Sequence, residues 1–492
     1  MADTTFISGT TVTSQWLNDV NTSVYTTVPN LTTSVNTITT NVSQALATQL
    51  GRTAPHTNFS WFTSDFTVTG CQGPGNAYTL QDIKDVFLNK YSGFITGSNT
   101  YVDGTNGNDA NDGTITTPWA TIDKAIRTSN SGTVYIMPGT YASTGFRYTD
   151  TQGDRPKMLI APYGGVRITT AGDVLASATW TANGTYGNVY ETTLSTSNHV
   201  IRILDSSALD ELDLPSPLQK YSSLVAVNTV GLGWWYDSAT QKCYIRMGLL
   251  DINSIKSRFS AIYGNGGDNS LLIQDATLYL ENITLDQYLF VLNSANPTRP
   301  AQVWLKNCTV RYAGSNSRNV SGGYCYSQGC LYYRSTADHA NYNTASGVTA
   351  RGVEINDTTL YAGDVGTFGA DVTQPDNPVS IDQNKNSSSN HDGYVVRIGS
   401  THSKSYGPVI ADTDTSYSWN LGVSTGYSYA TSLSKYGWIV QGTTARAWLD
   451  GCSAGSGNSG FNSDTSAVTY MFNSFGTQVT SNSGTFSTYI PT

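Results

Sequence analysis

Acidic residues are concentrated in one stretch of the last third of the chain, where they could supply the carboxyl pair of a glycan-cleaving enzyme. The stretch holds Asp357, Asp364, Asp371, Asp376, Asp382 and Asp392. Glycosidic bond hydrolysis uses two carboxyl groups, roughly 6.5–9.5 Å apart for inversion and roughly 5 Å for retention. We therefore take Asp382, His391 and Asp392 as candidate catalytic residues. The simpler alternative is a turn, in which Asp392 binds backbone amides and His391 is solvated.

A lyase would need a base or a cation beside a carboxylate. Lys385, Arg397 and Lys404 lie in the same part of the chain. No pattern singles out one of them.

Aromatic residues are frequent after position 400, and sugar faces pack well on such rings. From this set we predict Tyr406, Trp419, Tyr429 and Trp438 as glycan-binding residues. The alternative is that half of the rings stack inside the fold or between subunits. The sequence leaves both interpretations open.

Asp103, Asp109 and Asp112 fall in a turn rich in Gly and Asn, and this density of oxygen ligands could hold Ca²⁺. The spacing is not that of an EF-hand, and Asx-Gly turns explain the same residues more simply. No other cofactor is predicted. The sequence contains no phosphate-binding loop, HExxH motif or nucleophile motif.

The composition predicts a β-rich body. Charged residues make up 12% of the chain, about half of the roughly 25% that is usual, whereas 38% of residues are hydrophobic and 31 are Tyr. The net charge of −9 and the lack of a basic run argue against a nucleic-acid partner. No apolar window is long enough for membrane insertion. The N-terminus shows no secretory signal.

A six-residue pattern recurs along the body: apolar, any, Asn/Asp/Gly, small or apolar, any, apolar. The first copies, 280–285, 305–310 and 327–332, are 25 and 22 residues apart, which suits one coil of a three-sided solenoid. The copy at 327–332 matches the pattern more loosely, as do further copies at 355–360 and 449–454. The third position is expected to turn a corner through a left-handed conformation. Cys308, Cys330 and Cys452 then share an inward position, as buried free thiols.

The first 51 residues predict a helical arm. Trp16, Leu17, Val20 and Val24 fall on one face of a helix, and a heptad seam follows at Val28, Leu31, Val35, Ile38 and Val42. The intervening Thr, Ser and Asn are poor helix formers, so this helix needs partners, and copies of itself are the obvious ones. The alternative is an amphipathic helix lying on its own domain.

Residues 101–141 carry the most specific pattern of the chain: a Gly/Asp-rich turn, then Pro-Trp-Ala-Thr-Ile-Asp-Lys-Ala-Ile, then a strand ending in Pro-Gly-Thr-Tyr. This segment resembles the opening of right-handed parallel β-helices of the pectate-lyase-like superfamily. Thr117 and Pro118 are expected to begin a short helix. Its Ile122, Ala125 and Ile126 would cover the open end of the sheets.

Residues 8–21 resemble the N-terminal attachment segment of podovirus-type bacteriophage tailspikes and tail fibres. The resemblance implies a homotrimer on the virion tail, released by host lysis, that docks on a phage tail protein through Trp16, Leu17, Val20 and Val24. Its β-helix would bind host surface polysaccharide. Tailspikes of this kind are frequently depolymerases, so an endoglycosidase or polysaccharide lyase is the alternative.

The predicted organisation has three parts. A helical attachment and trimerisation arm occupies 1–51, a small connecting domain 52–98, and a parallel β-helix 99–492. A hairpin insertion is expected at about 205–258, where Gly-Leu-Gly-Trp-Trp-Tyr-Asp and Cys-Tyr-Ile-Arg flank a polar turn.

Overall fold

The computed structural model describes residues 15, 54–68, 81–95, 97–128, 133–142, 147–149, 156–169, 174–194, 199–264, 270–286, 289–314, 316–364, 385–429, 436–455, 460–481 and 483–488. This part of the chain is mainly β, as its composition predicts. The attachment residues and the heptad seam of the predicted arm lie outside the described residues.

Three parallel sheets form the body, and they are named here sheets A, B and C. Sheet A has twelve strands: β1 (Thr100–Val102), β2 (Thr133–Ile136), β5 (Lys157–Ile160), β15 (Thr277–Glu281), β18 (Gln302–Lys306), β21 (Tyr324–Gln328), β24 (Arg351–Ile355), β27 (Tyr394–Ile398), β30 (Tyr417–Leu421), β33 (Arg446–Asp450), β36 (Val468–Phe472) and β38 (Thr485–Thr488). Sheet B has nine: β3 (Gly139–Ala142), β6 (Val166–Thr169), β16 (Ile283–Asp286), β19 (Thr309–Arg311), β22 (Leu331–Tyr333), β25 (Thr358–Leu360), β28 (Thr401–Ser403), β31 (Ser424–Thr425) and β34 (Ser453–Ala454). Sheet C has ten: β4 (Arg147–Thr149), β14 (Ser270–Gln274), β17 (Leu289–Asn293), β20 (Arg318–Ser321), β23 (Ala340–Asn343), β26 (Ser388–Asn390), β29 (Ile410–Thr413), β32 (Trp438–Gln441), β35 (Phe461–Asp464) and β37 (Gln478–Ser481).

From β15 to β34 the chain passes through the sheets in a fixed order, A then B then C. Each strand pairs with the strand one circuit before it and one circuit after it. Leu280 is paired with Leu305, and Leu305 with Ser327. These are the predicted offsets of 25 and 22 residues. One copy of the sequence repeat therefore corresponds to one circuit, that is, one passage of the chain through sheets A, B and C.

The corner between sheets A and B is formed by the third residue of the repeat. Asn282, Asn307, Gly329 and Gly451 have φ of 60°, 51°, 65° and 63°, which confirms the predicted left-handed turn. The copy at 355–360 is misaligned by one residue, because Asn356 takes the corner with φ 52°. Asp357 consequently moves to the next, buried position.

That buried position is also where the cysteines stack. Cys308, Cys330 and Cys452 are free and buried, as predicted. Strand pairing places Cys308 beside Cys330. Asp357 follows them, and its Oδ1 accepts a hydrogen bond of 2.9 Å from the Cys330 amide.

The main core lies between the sheets and is apolar in the early circuits but contains ion pairs in the later ones. Arg318 Nη2 lies 3.3 Å from Glu354 Oε1, and Arg397 Nη2 lies 3.1 Å from Asp412 Oδ1; all four side chains are fully buried. Buried charges are tolerated only when they are paired and hydrogen-bonded. This section therefore depends on its polar network.

A short helix, α3 (Ile122–Thr128), closes the first circuits. It begins later than predicted: Thr121 Oγ1 accepts the Lys124 amide at 3.2 Å, so Thr117 and Pro118 are not its cap. Trp119 instead forms an isolated β-bridge with Val102. The three predicted covering residues are buried in the main core: Ile122, Ala125 and Ile126.

The outer face of sheet A is covered by residues 54–68 and 81–95, which contain a 3-10 helix (Thr57–Phe59), α1 (Ser60–Thr63) and α2 (Ile83–Lys90). Phe62 and Phe87 pack against Trp419 and Trp304 of the sheet. The described part of the predicted connecting domain therefore shares its core with sheet A.

An antiparallel insertion separates β6 from β14, and it is wider than the predicted 205–258. Its strands are β7 (Thr181–Ala182), β8 (Tyr190–Thr193), β9 (His199–Leu209), β10 (Pro215–Pro217), β11 (Leu232–Asp237), β12 (Lys242–Met247) and β13 (Phe259–Gly264). Its helices are α4 (Val174–Ser177), α5 (Leu224–Val230), α6 (Ile252–Ile255) and a 3-10 turn (Lys256–Arg258). Strands β11 and β12 pair antiparallel, as the predicted hairpin requires. Across the described ranges, no helix has the length and apolar character to cross a membrane.

Candidate functional site

The tip of the β9–β10 hairpin is acidic and lies against the outer face of sheet B. Asp210 closes the tip: its amide donates to Leu214 O at 2.9 Å, and its Oδ1 accepts the amides of Leu212 and Leu214. Leu204 of β9 packs in the same cluster as Tyr333 on the sheet. The Asp210 side chain thus stabilises the turn by accepting its backbone amides, and this turn places Asp210 and Glu211 against sheet B.

The opposing residues lie at the corner that follows each strand of sheet B. Tyr312, Arg334, Tyr361 and Lys404 occupy equivalent positions on successive strands, with φ of 58°, 52°, 64° and 56°. A left-handed conformation costs a residue with a side chain roughly 1–3 kcal/mol and is common at functional sites. Adjacent strands are about 4.8 Å apart, so these four side chains form a ladder.

Asp210 contacts Arg334 of the ladder and Tyr333, the residue that precedes it. The Tyr333 hydroxyl donates to Asp210 Oδ2 and accepts from Arg334 Nε at 2.9 Å. Arg334 Nη1 donates to Asp364 Oδ2 at 2.6 Å. Arg202, fully buried behind them, has its Nη2 at 3.6 Å from Asp364 Oδ1.

Glu211 contacts the next two residues of the ladder, Tyr361 and Lys404. Lys404 Nζ donates to Glu211 Oε1 at 2.6 Å and to the Tyr361 hydroxyl at 2.9 Å. The Tyr361 hydroxyl donates to the same Oε1. Partial burial raises the pKa of Glu211, but the hydrogen bonds from Lys404 and Tyr361 outweigh it and lower the pKa to about 2. Glu211 is therefore a carboxylate at any physiological pH.

Tyrosine rings extend this surface. Tyr429 stacks on Tyr406 with ring centroids 5.0 Å apart and on Tyr361 with centroids 6.3 Å apart. Tyr427 meets Tyr429 edge-on at 5.0 Å, and its side chain is 48% exposed. The Lys404 amide donates to Tyr427 O at 2.6 Å, so the exposed ring is on the strand next to the Lys404–Glu211 pair.

Two of the four predicted glycan-binding residues, Tyr406 and Tyr429, belong to this surface, and two do not. Trp419 is 1% exposed beneath the segment that covers sheet A, and Trp438 is 0% exposed inside the main core. Trp438 Nε1 donates to Asp412 Oδ2 at 3.0 Å. Their burial contradicts the prediction that Trp419 and Trp438 bind glycan.

Two of the predicted catalytic residues, His391 and Asp392, are described, and they have different partners. Asp382 lies outside the described residues. Asp392 accepts the backbone amide of Thr344, whereas His391 Nδ1 faces Asp414 Oδ2 at 3.3 Å. Asp392 therefore accepts a backbone amide, as the turn alternative expects, but from a residue 48 positions away. His391 contacts the side chains of Thr413 and Asp414 rather than solvent alone.

His391 also contacts Ser389, whose Oγ lies 3.2 Å from its Nε2. Ser389, His391 and Asp414 thus stand in the order of an acyl-transfer triad. Ser389 is only 1% exposed, however, so no substrate carbonyl reaches its hydroxyl.

The three aspartates proposed for Ca²⁺ each cap a different piece of backbone. Asp103 accepts the amides of Thr105 and Asn106, and Asp109 those of Ala120 and Thr121. The third, Asp112, accepts the amide of Thr114. Within the described ranges no group of three or more His, Cys, Asp or Glu side chains is placed to hold a metal ion. Asp103 and Asp112 match the turn interpretation, whereas Asp109 bonds to amides 11 and 12 residues further along the chain.

The sequence did not single out Glu211, Arg334 or Tyr361 as surface residues. Tyr427 belongs to the aromatic set after position 400 but was not among the four selected from it, and Lys404 was one of three cations that no pattern distinguished. The signal for Tyr361 and Lys404 was their position one residue after each sheet B strand. For Glu211 the sequence offered no signal, because the insertion that carries it folds back over 150 residues to reach Tyr361.

No protein-family description and no curated protein matches this chain. Among solved structures, a glycoside hydrolase is similar over 80% of this chain and 96% of its own, at 10% identity and a TM-score of 0.36. The lacto-N-biosidase of Eubacterium ramulus is similar over 83% of this chain and 69% of its own, at 8% identity and a TM-score of 0.33. The Gp54 tailspike of Acinetobacter baumannii bacteriophage AP22, solved with capsular saccharide, is similar over 74% and 66%, at 10% identity and a TM-score of 0.15. TM-scores this small support no argument about function.

Proposed function

We propose that this chain is a carbohydrate-binding subunit whose outer face of sheet B holds a polysaccharide of a host cell surface. One observation carries the proposal: the Lys404–Glu211 ion pair and the exposed Tyr427 lie on adjacent strands, joined by the hydrogen bond from the Lys404 amide to Tyr427 O. Sugars are bound by a ring face together with fixed donors and acceptors, and this surface offers both.

We also propose that this subunit is part of a phage tail. The body is a right-handed parallel β-helix, and residues 1–51 attach it to a phage tail protein as a homotrimer. Support comes from the segment 8–21, which resembles tailspike attachment segments, and from the heptad seam. Light scattering of a chain lacking residues 1–50 tests the trimer: monomers or weak oligomers are expected, and a stable trimer would contradict the role of the seam.

A depolymerase is the second candidate, because Asp210 and Glu211 place two adjacent carboxyl groups on this surface. Glycoside hydrolysis requires one of its two carboxyl groups to be protonated. Glu211 is held ionised, so it could serve only as the nucleophile or base, and Asp210 would have to be the acid. The Asp210 side chain is 3% exposed, and both of its oxygens already accept hydrogen bonds from Leu212, Leu214 and Tyr333. This favours binding over cleavage.

Binding and cleavage are separated in one assay. The purified protein is incubated with capsular and O-antigen polysaccharides of candidate hosts, and retention, new reducing ends and unsaturated uronate absorbance are measured. We expect retention without cleavage. Turnover that disappears in Asp210→Asn would establish the depolymerase, and turnover lost in Asp382→Ala or Asp392→Ala would restore the site predicted from sequence.

A further inference from the structure

The Lys404–Glu211 pair has hydrogen-bonding capacity that its internal contacts do not use. The hydrogen bonds of Glu211 with Tyr361 and Lys404 are both made by its Oε1, so neither of these residues occupies its Oε2. Lys404 uses two of its three N–H groups, on Glu211 and Tyr361. The Glu211 side chain is 42% exposed and the Lys404 side chain 32%. One acceptor and one donor therefore face solvent side by side.

The charged side chains in the contacts described above are paired with one another. Three carboxylates are matched by three cations, each within the contacts described above: Asp210, Glu211 and Asp364 with Arg202, Arg334 and Lys404. A ligand carboxylate that approached Lys404 would meet ionised Glu211, and a ligand ammonium that approached Glu211 would meet Lys404. Like charges at such distances repel, so the pair favours a neutral ligand.

A neutral ligand with adjacent hydroxyl groups can bind to both the unused acceptor of Glu211 and the unused donor of Lys404. One hydroxyl donates to Glu211 Oε2 and its neighbour accepts from Lys404 Nζ. The same ligand presents a C–H face to the exposed ring of Tyr427 one strand away.

We propose that Glu211 and Lys404 bind a vicinal diol of a neutral pyranose that stacks on Tyr427, so that the ligand class is neutral polysaccharide. The inference rests on the proposed function of this surface. An acidic polysaccharide would be held instead at Arg167 and Arg311, two cations that share Asp286 on the same sheet.

The experiment uses a bacterial polysaccharide array that carries each acidic polymer beside its carboxyl-reduced form and each neutral polymer beside its periodate-oxidised, borohydride-reduced form. The full chain is tested with Glu211→Gln, Lys404→Met and Tyr427→Ala. Lys242→Met is the matched control, because Lys242 forms an equally short pair with Glu191, 2.6 Å, in the antiparallel insertion.

We expect binding to neutral polymers, loss of binding after periodate treatment, at least tenfold weaker binding in the three variants, and no change in Lys242→Met. Preference for an acidic polymer over its reduced form would overturn the neutral-ligand inference and leave polysaccharide binding intact. Binding that survives periodate would overturn the diol. Failure to bind any polymer would instead contradict the proposed function itself.

Discussion

Lys404 and Glu211 are 193 residues apart in the chain, and Lys404 Nζ lies 2.6 Å from Glu211 Oε1. The contact joins a corner of sheet B to the tip of a hairpin that belongs to the antiparallel insertion. Because both side chains keep a solvent-exposed part, the pair belongs to a surface rather than to the core. Its effects on binding and on stability should therefore be separable.

The first prediction concerns that separation. Glu211→Gln and Lys404→Met should each weaken polysaccharide binding at least tenfold, while the free energy of unfolding falls by no more than about 1 kcal/mol, as for other partly exposed ion pairs. Binding isotherms and guanidinium unfolding measure the two quantities. A variant that loses both binding and several kcal/mol would assign the pair to the fold.

Tyr427→Ala should weaken binding at least tenfold without destabilising the protein, because the ring is half exposed. Tyr163→Ala is the control, since Tyr163 is still more exposed and lies in the turn between β5 and β6. Equal effects of the two substitutions on binding would remove Tyr427 from the site.

Trp438→Ala should destabilise the protein by about 3–5 kcal/mol, because it empties a large buried volume. Trp438→Phe keeps most of the volume but removes the N–H that donates to Asp412, and about 1–3 kcal/mol is expected for that loss. Denaturant unfolding measures both. Stability unchanged in Trp438→Ala, together with lost binding, would restore the prediction that this residue binds glycan.

The circuit of the body could be predicted from the sequence because its determinants are local. Asn282, Asn307 and Gly329 mark corners by their own conformational preferences, and the residues between them alternate toward the core. The error at 355–360 has the same origin: two residues suited to a corner, Asn356 and Asp357, are adjacent, and only the strand register decides between them.

The site could be predicted only in part because its geometry is not local. Tyr406 and Tyr429 were identified by residue type, but Trp438 has the same type and lies in the core. The buried Arg397 illustrates the converse, since a charged residue is usually exposed unless partners such as Asp412 accompany it. Sequence spacing does not reveal these partners across circuits.

Stability should fall as pH falls from about 6.5 to 4, through His402. Burial lowers its pKa from 6.5 to about 4, so the unfolded chain binds a proton in this interval and the folded protein does not. The stabilisation is complete above pH 6.5 and is worth about 3 kcal/mol. Unfolding of wild type and His402→Gln at pH 7 and pH 4 should show this difference, whereas parallel pH profiles would contradict it.

Asp357 should have the opposite pH dependence. Burial raises its pKa from 3.8 to about 7, so its contribution is complete below pH 3.8 and is lost as pH rises through 7. Relative to Asp357→Asn, the wild type should lose stability between pH 5 and pH 8. A difference that stays constant across this range would show that Asp357 is ionised in the folded protein.

The central claim is that the outer face of sheet B binds polysaccharide, and a crystal structure with a bound oligosaccharide tests it most directly. The oligosaccharide is prepared from a polymer that the full chain retains. We predict density for a pyranose on Tyr427, with adjacent hydroxyl groups within hydrogen-bonding distance of Glu211 and Lys404. Density confined to the outer face of sheet A or sheet C would contradict the account.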